Sequence, residues 1–82
     1  MTNLTKENIV AGIKKIAGKN ISLNDCIYGY DSCLKSIDFV QFIAYVEDEF
    51  LNCDNVDLLY EFCNHYQEAT LNDLYDFVKK WI

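Results

Sequence analysis

The chain contains no proline, so the strongest internal helix breaker is missing and long uninterrupted helices are allowed. No apolar run approaches the roughly 20 residues that cross a bilayer. The start Met1-Thr2-Asn3-Leu4 carries neither the basic nor the apolar region of a signal peptide, and the expected location is the cytoplasm. Lys and Arg are absent between Ile37 and Val78, a stretch that holds Asp38, Glu47, Asp48, Glu49, Asp54, Asp57, Glu61, Glu68, Asp73 and Asp76. The surface it makes must be acidic, which repels nucleic acid and anionic membrane and steers basic protein partners.

Catalytic and metal-binding residues are equally scarce. Cys26, Cys33, Cys53 and Cys63 form no CxxC pair and follow no ordered spacing, so they are expected as reduced, partly buried thiols without a metal. His65 is the single histidine, and no cue sets it beside a particular serine or cysteine. A nucleophile pair with Cys63 or Cys33 would need a cleft that so small a protein rarely forms. Glu47-Asp48-Glu49 are consecutive, about 100° apart on a helix, and do not converge on an ion. The expectation is a protein that is not itself an enzyme.

What is present describes one ordered domain, residues 1–82. With 51% apolar residues the chain can fold, although a core of this size is only marginally stable. Thr5 precedes Ile9, Val10, Ile13, Ile16 and Ala17 at helical spacing, and Gly18-Lys19-Asn20 ends that run. From Ile21 to Lys35, Asn24-Asp25, Gly29 and Asp31-Ser32 interrupt apolar anchors such as Leu23, Ile27 and Tyr30, the pattern of a long loop pinned to a core. Val56, Leu59, Tyr60, Phe62, Cys63 and Tyr66 suggest a third helix over 55–66. Thr70, with Asp73 three residues on, opens a fourth helix carrying Leu71, Leu74, Tyr75, Val78 and Ile82. Lys79 and Lys80 close it, where cations oppose the negative end of the helix dipole.

The segment from Ser36 to Phe50 fits a strand poorly, because both alternating faces would be equally apolar. As a helix it sorts cleanly. Phe39, Phe42, Ile43, Val46 and Phe50 occupy an arc of roughly 100°. Opposite lie Ile37, Val40, Gln41, Ala44 and Asp48, flanked by Asp38 and Glu47. A short apolar strip with a carboxylate rim is a candidate docking surface. At the start of this helix stands Ser36, whose hydroxyl is expected near unpaired N–H groups that favour an anion. Serine is also a favoured N-cap, and position alone favours that role.

The run Leu34-Lys35-Ser36-Ile37-Asp38-Phe39-Val40-Gln41-Phe42, continuing to Val46-Glu47-Asp48-Glu49-Phe50, resembles the signature of the acyl carrier protein family. There a serine followed by Leu or Ile, an acidic residue and Val starts helix two, which closes on an acidic run and Phe. The Thr-capped segment Thr70-Leu71-Asn72-Asp73-Leu74-Tyr75-Asp76-Phe77-Val78 resembles the family's last helix, so the likeness spans nearly the whole chain. It implies an all-α, four-helix bundle with a long loop between helices one and two. It also implies a monomer on which a phosphopantetheinyl transferase moves 4′-phosphopantetheine from coenzyme A onto Ser36.

The same resemblance places Ile37, Asp38, Val40, Gln41, Ala44, Glu47 and Asp48 on a face that docks acyl-loading and acyl-processing enzymes through their basic patches. It places Phe42, Ile43, Val46 and Phe50 in the bundle interior, where some carriers shelter an acyl chain. Cargo would belong to a specialised fatty-acid, polyketide or peptide system, with a housekeeping fatty-acid carrier or a D-alanyl carrier as alternatives. A helical interaction module without the modification is the competing class. Three positions depart from the family: Lys35 replaces the usual Asp before the serine, Gln41 stands where an acidic residue is common, and the stretch from Phe50 to Thr70 is longer. Asp31-Ser32 supplies a rival Asp-Ser pair. With Ser32 as the site, however, Cys33 and Ser36 would fill positions expected to be apolar.

Overall fold

The computed structural model describes residues 3–51 and 57–80. Four helices carry the fold: α1 (Lys6–Ala17), α2 (Ser36–Val46), α3 (Leu58–His65) and α4 (Leu71–Lys79). Two short strands, β1 (Cys26–Tyr28) and β2 (Ala69–Thr70), lie between them. Helix α2 packs against α1 and α3, and α4 against α1.

The helix boundaries follow local chemistry. Thr5 Oγ1 accepts a hydrogen bond from the Asn8 N–H at 3.1 Å and starts α1. Gly18 ends it at φ 75°, its N–H reaching the Lys14 carbonyl at 2.8 Å; this left-handed turn is accessible to glycine because it has no Cβ. Thr70 and Asp73 form a reciprocal capping box: the Asp73 N–H donates to Thr70 Oγ1 at 3.2 Å, and the Thr70 N–H donates to the Asp73 carboxylate at 3.0 Å. Asp57 Oδ1 accepts from the Tyr60 N–H at 3.1 Å and caps α3.

Two expectations need correction. An all-α chain omits the antiparallel pair β1–β2, in which Cys26 faces Thr70 and Tyr28 faces Ala69 across an irregular register. Strands of three and two residues are too short for alternation to mark, and their partners are distant in sequence. The α-helical ladder of the second helix also stops at Val46, and Glu47–Leu51 continue as a π-helical turn. The wider turn still delivers Phe50 to the core.

The 21–35 segment is pinned to the core as expected of a loop, but β1 interrupts it and its anchors are not all those expected. Ile21, Ile27 and Leu34 are buried and Leu23 half-buried, whereas Tyr30 is 95% exposed. Asp25 Oδ2 accepts from the Ser22 N–H at 2.8 Å, folding the loop on itself. The first N–H groups of α4 then hold it in place, Leu71 donating to the Asp25 carbonyl at 3.1 Å and Asn72 to that of Leu23 at 2.9 Å. These donors have no partner inside their own helix, so the loop satisfies α4 while α4 fixes the loop.

The core gathers Ile9 and Ile13 of α1, Phe42, Ile43 and Val46 of α2, Leu58 and Phe62 of α3, and Leu71, Leu74 and Val78 of α4. Leu58 completes the buried stripe of α3 with Phe62, while Tyr60 points outward. Val56 and Asn55, assigned from sequence to the same helix, lie outside the described residues, as do Cys53, Asp54 and Ile82. Gly12 sets the approach of α1 to α2, because a Cβ there would stand 2.5 Å from Tyr45 Cε1. Among the described residues, no helix is long and apolar enough to cross a membrane.

Candidate functional site

The start of α2 determines what Ser36 can do. Its N-cap is Lys35, in extended conformation and making no side-chain cap bond. The ladder begins with the Phe39 N–H donating to the Lys35 carbonyl at 3.0 Å, which leaves the N–H groups of Ser36, Ile37 and Asp38 ahead of it. Ser36 is therefore the first helical residue and not the cap. Its side chain is exposed and makes no hydrogen bond among the described residues.

Ser32 is placed differently. It is half-buried, and its Oγ accepts from the Leu34 N–H at 3.1 Å and donates to the Leu34 carbonyl at 3.3 Å. That hydroxyl holds its own turn together. Of the two serines considered from sequence, only Ser36 presents an unengaged oxygen to solvent.

Both serines line one cleft of about 380 Å³. Phe39 and Val40 of α2, Leu59 and Cys63 of α3, and Tyr28 and Leu34 from the incoming segment form its walls. Tyr28 stacks on Phe39 with ring centroids 5.0 Å apart and meets Phe62 edge-on at 5.8 Å. A hydrogen bond with Cys63, joined by burial, raises the Tyr28 phenol above its usual pKa. The Cys63 thiol is thus partnered by Tyr28, while the His65 ring packs against Tyr66 and Phe77 at 4.7 and 5.2 Å. Sequence reading missed Tyr28, Leu34, Leu59 and Cys63 as cleft residues. Leu59 and Cys63 share a helix face at i, i+4 spacing, but what they face is set by a segment about thirty residues earlier.

The outward face of α2 keeps the arrangement expected of it. Ile37 is 64% and Val40 47% exposed. Gln41, Ala44 and Asp48 are exposed, and Asp38 and Glu47 are half-buried. Phe42, Ile43, Val46 and Phe50 point the other way, into the core. Those four residues do not line the cleft at Ser36, to which α2 contributes Phe39 and Val40 beside the serine.

Glu47 sits where α2 gives way to the π-helical turn. Burial, and then the charge of Asp57, raise its carboxyl above the usual carboxylate range, against the effect of a hydrogen bond from the Leu58 N–H. A raised folded-state pKa means that the folded protein disfavours ionised Glu47. The stability Glu47 contributes is full below the ordinary carboxylate range and is lost as pH rises through the raised value. Glu47→Gln keeps an acceptor for Leu58, so its stability relative to the parent is expected to improve as pH climbs from about 4 to 7. Urea unfolding at both pH values measures this, and a gain confined to the acid side would contradict it.

Comparison with protein-family models, with curated proteins and with solved structures gives no match.

Proposed function

We propose that the chain is a carrier protein, modified at Ser36 Oγ by a 4′-phosphopantetheine arm and presenting its cargo to partner enzymes in the cytoplasm. The observation that carries this reading is the state of Ser36: an exposed hydroxyl with no hydrogen bond among the described residues, on the first residue of a helix, lining a cleft and beside an acid-rimmed apolar strip. The surroundings suit a phosphodiester. The unpaired N–H groups of Ser36, Ile37 and Asp38 and the positive end of the α2 dipole favour an anion there, and Lys35 adds a neighbouring cation.

In the modification step Ser36 Oγ attacks the diphosphate of coenzyme A. An oxygen–phosphorus bond forms at Ser36, the adenosine bisphosphate leaves, and the hydroxyl proton passes to a base on the transferase. The arm's terminal thiol then holds an acyl, aminoacyl or peptidyl group as a thioester. The chain's own residues position and advertise the site. The α2 face offers Ile37, Val40 and Ala44 as apolar contacts, and Asp38, Glu47 and Asp48 as charges that attract basic patches on transferase, loading and processing enzymes. The resemblance to acyl carrier proteins supports the four-helix carrier assignment, and Lys35 in place of the usual Asp favours a specialised assembly system.

The charged rim has a measurable consequence. Reversing Asp38, Glu47 and Asp48 to Lys is expected to slow modification of Ser36 by a transferase. The loss should be larger at low ionic strength than near 1 M salt, where the Debye length shrinks to about 3 Å. Equal rates for parent and variant at both salts would remove the α2 face from the docking account.

A further inference from the structure

A second groove, of about 370 Å³, runs along the opposite flank of α1. Val10, Ala11 and Leu23 give it an apolar floor, Lys6 and Lys14 stand along it one turn to either side of Val10, and Glu7 is the one carboxylate in its lining. Lys79 belongs to the same basic region, because it and Lys6 share the Tyr75 ring, at 5.9 and 5.5 Å from its centroid. No lysine occurs between residues 37 and 78, so charge is segregated: cations flank the α1 groove and carboxylates rim α2.

The two surfaces match in kind. One is an apolar floor where Lys6 and Lys14, with Lys79 nearby, outnumber the single carboxylate Glu7; the other is an apolar ridge of Ile37, Val40 and Ala44 flanked by Asp38, Glu47 and Asp48. They cannot meet within one molecule. Gly12 faces α2 through Tyr45, and Val10 lies roughly 160° from Gly12 around α1, which turns the groove away from α2. We infer, in departure from the monomer that the resemblance implies, that the α1 groove receives the α2 face of a second copy of this chain, in a head-to-tail, charge-guided contact.

A contact between two different patches leaves one groove and one ridge free at the ends, so association continues into short open chains. Each copy carries a net charge of −6, and this opposes association at long range. At about 0.1 M salt the Debye length is about 10 Å, which damps repulsion across a molecule measuring 29 × 25 × 20 Å more than attraction across the contact. The association is therefore expected to be strongest at intermediate salt and to fail in high salt. The inference uses the α2 face of the carrier reading but not the arm on Ser36, so the unmodified chain should show it.

Sedimentation velocity of the unmodified full chain at about 0.1 M salt, from micromolar to millimolar, provides the test. The parent is expected to show a concentration-dependent rise in sedimentation coefficient. Lys6→Glu/Lys14→Glu and Asp38→Lys/Asp48→Lys should each weaken self-association by about tenfold or more, the equivalent of at least one factor of ten in Kd. Mixing those two variants should restore association, because one retains an intact ridge, the other an intact groove, and the two reversed patches are again opposite in charge. Lys6→Gln/Lys14→Gln, which removes charge without reversing it, should give an intermediate loss with an unchanged helical circular dichroism spectrum. A parent that stays monomeric to millimolar concentration, or an equimolar mixture that stays monomeric, overturns the inference. Transfer of the arm onto Ser36 is read separately by mass, so the two proposals can fail independently.

Discussion

Phe62→Ala is expected to destabilise the protein by about 3–5 kcal/mol, the usual cost of removing a buried phenylalanine. Phe62 is fully buried and joins three parts of the core: Tyr28 from the segment before α2, Phe39 of α2 at 6.0 Å, and Phe77 of α4 at 5.6 Å. The cavity would open beneath the cleft, where rings from different elements rest on one another and cannot all collapse inward. At about 0.05–0.15 kcal/mol per residue, a chain of this length has roughly 4–12 kcal/mol in total. The loss is thus a large share of it, and at about 4–8 °C per kcal/mol the melting temperature should fall by well over 10 °C. Tyr60→Ala, on the exposed side of the same helix, is expected to stay within about 0.5 kcal/mol of the parent. Thermal and urea unfolding check both. A shift of only a degree or two for Phe62→Ala would mean that α3 is not built into the core as described.

The second large effect concerns chemistry. Ser36→Ala is expected to abolish transfer of phosphopantetheine while leaving the fold intact, because the side chain is exposed and makes no hydrogen bond among the described residues. Alanine is also a better helix former than serine, so reduced stability would not explain the loss. Ser32→Ala should behave in the opposite way. It removes both hydrogen bonds to Leu34 and loosens the turn leading to α2, slowing modification without preventing it. Loss of modification in Ser32→Ala together with its survival in Ser36→Ala would assign the wrong serine.

These residues also show how far the sequence could be read. The caps at Thr5, Gly18 and Thr70 were legible because each depends on neighbours within a few residues. So was the division of α2 into a core arc and an outward face, since helical periodicity alone produces it. The β1–β2 pair was not legible, because its hydrogen bonds join segments more than forty residues apart and neither strand is long enough to alternate. Tyr30 was expected among the anchors from its residue type, yet backbone direction in the loop turns it to solvent. The cleft at Ser36 was hidden for a related reason: its walls combine α2, α3 and the loop, and only tertiary packing brings Tyr28 against Cys63. Ser36 itself was ambiguous between cap and modification site until Lys35 was found in the N-cap position, leaving the serine hydroxyl unspent.

The most direct measurement of the central claim is the intact mass of the parent chain after incubation with coenzyme A and a broad-specificity phosphopantetheinyl transferase. The account predicts a gain of one phosphopantetheinyl group, mapped by proteolysis to the peptide containing Ser36. An unchanged mass with several transferases would contradict it and leave a helical interaction module in place of a carrier.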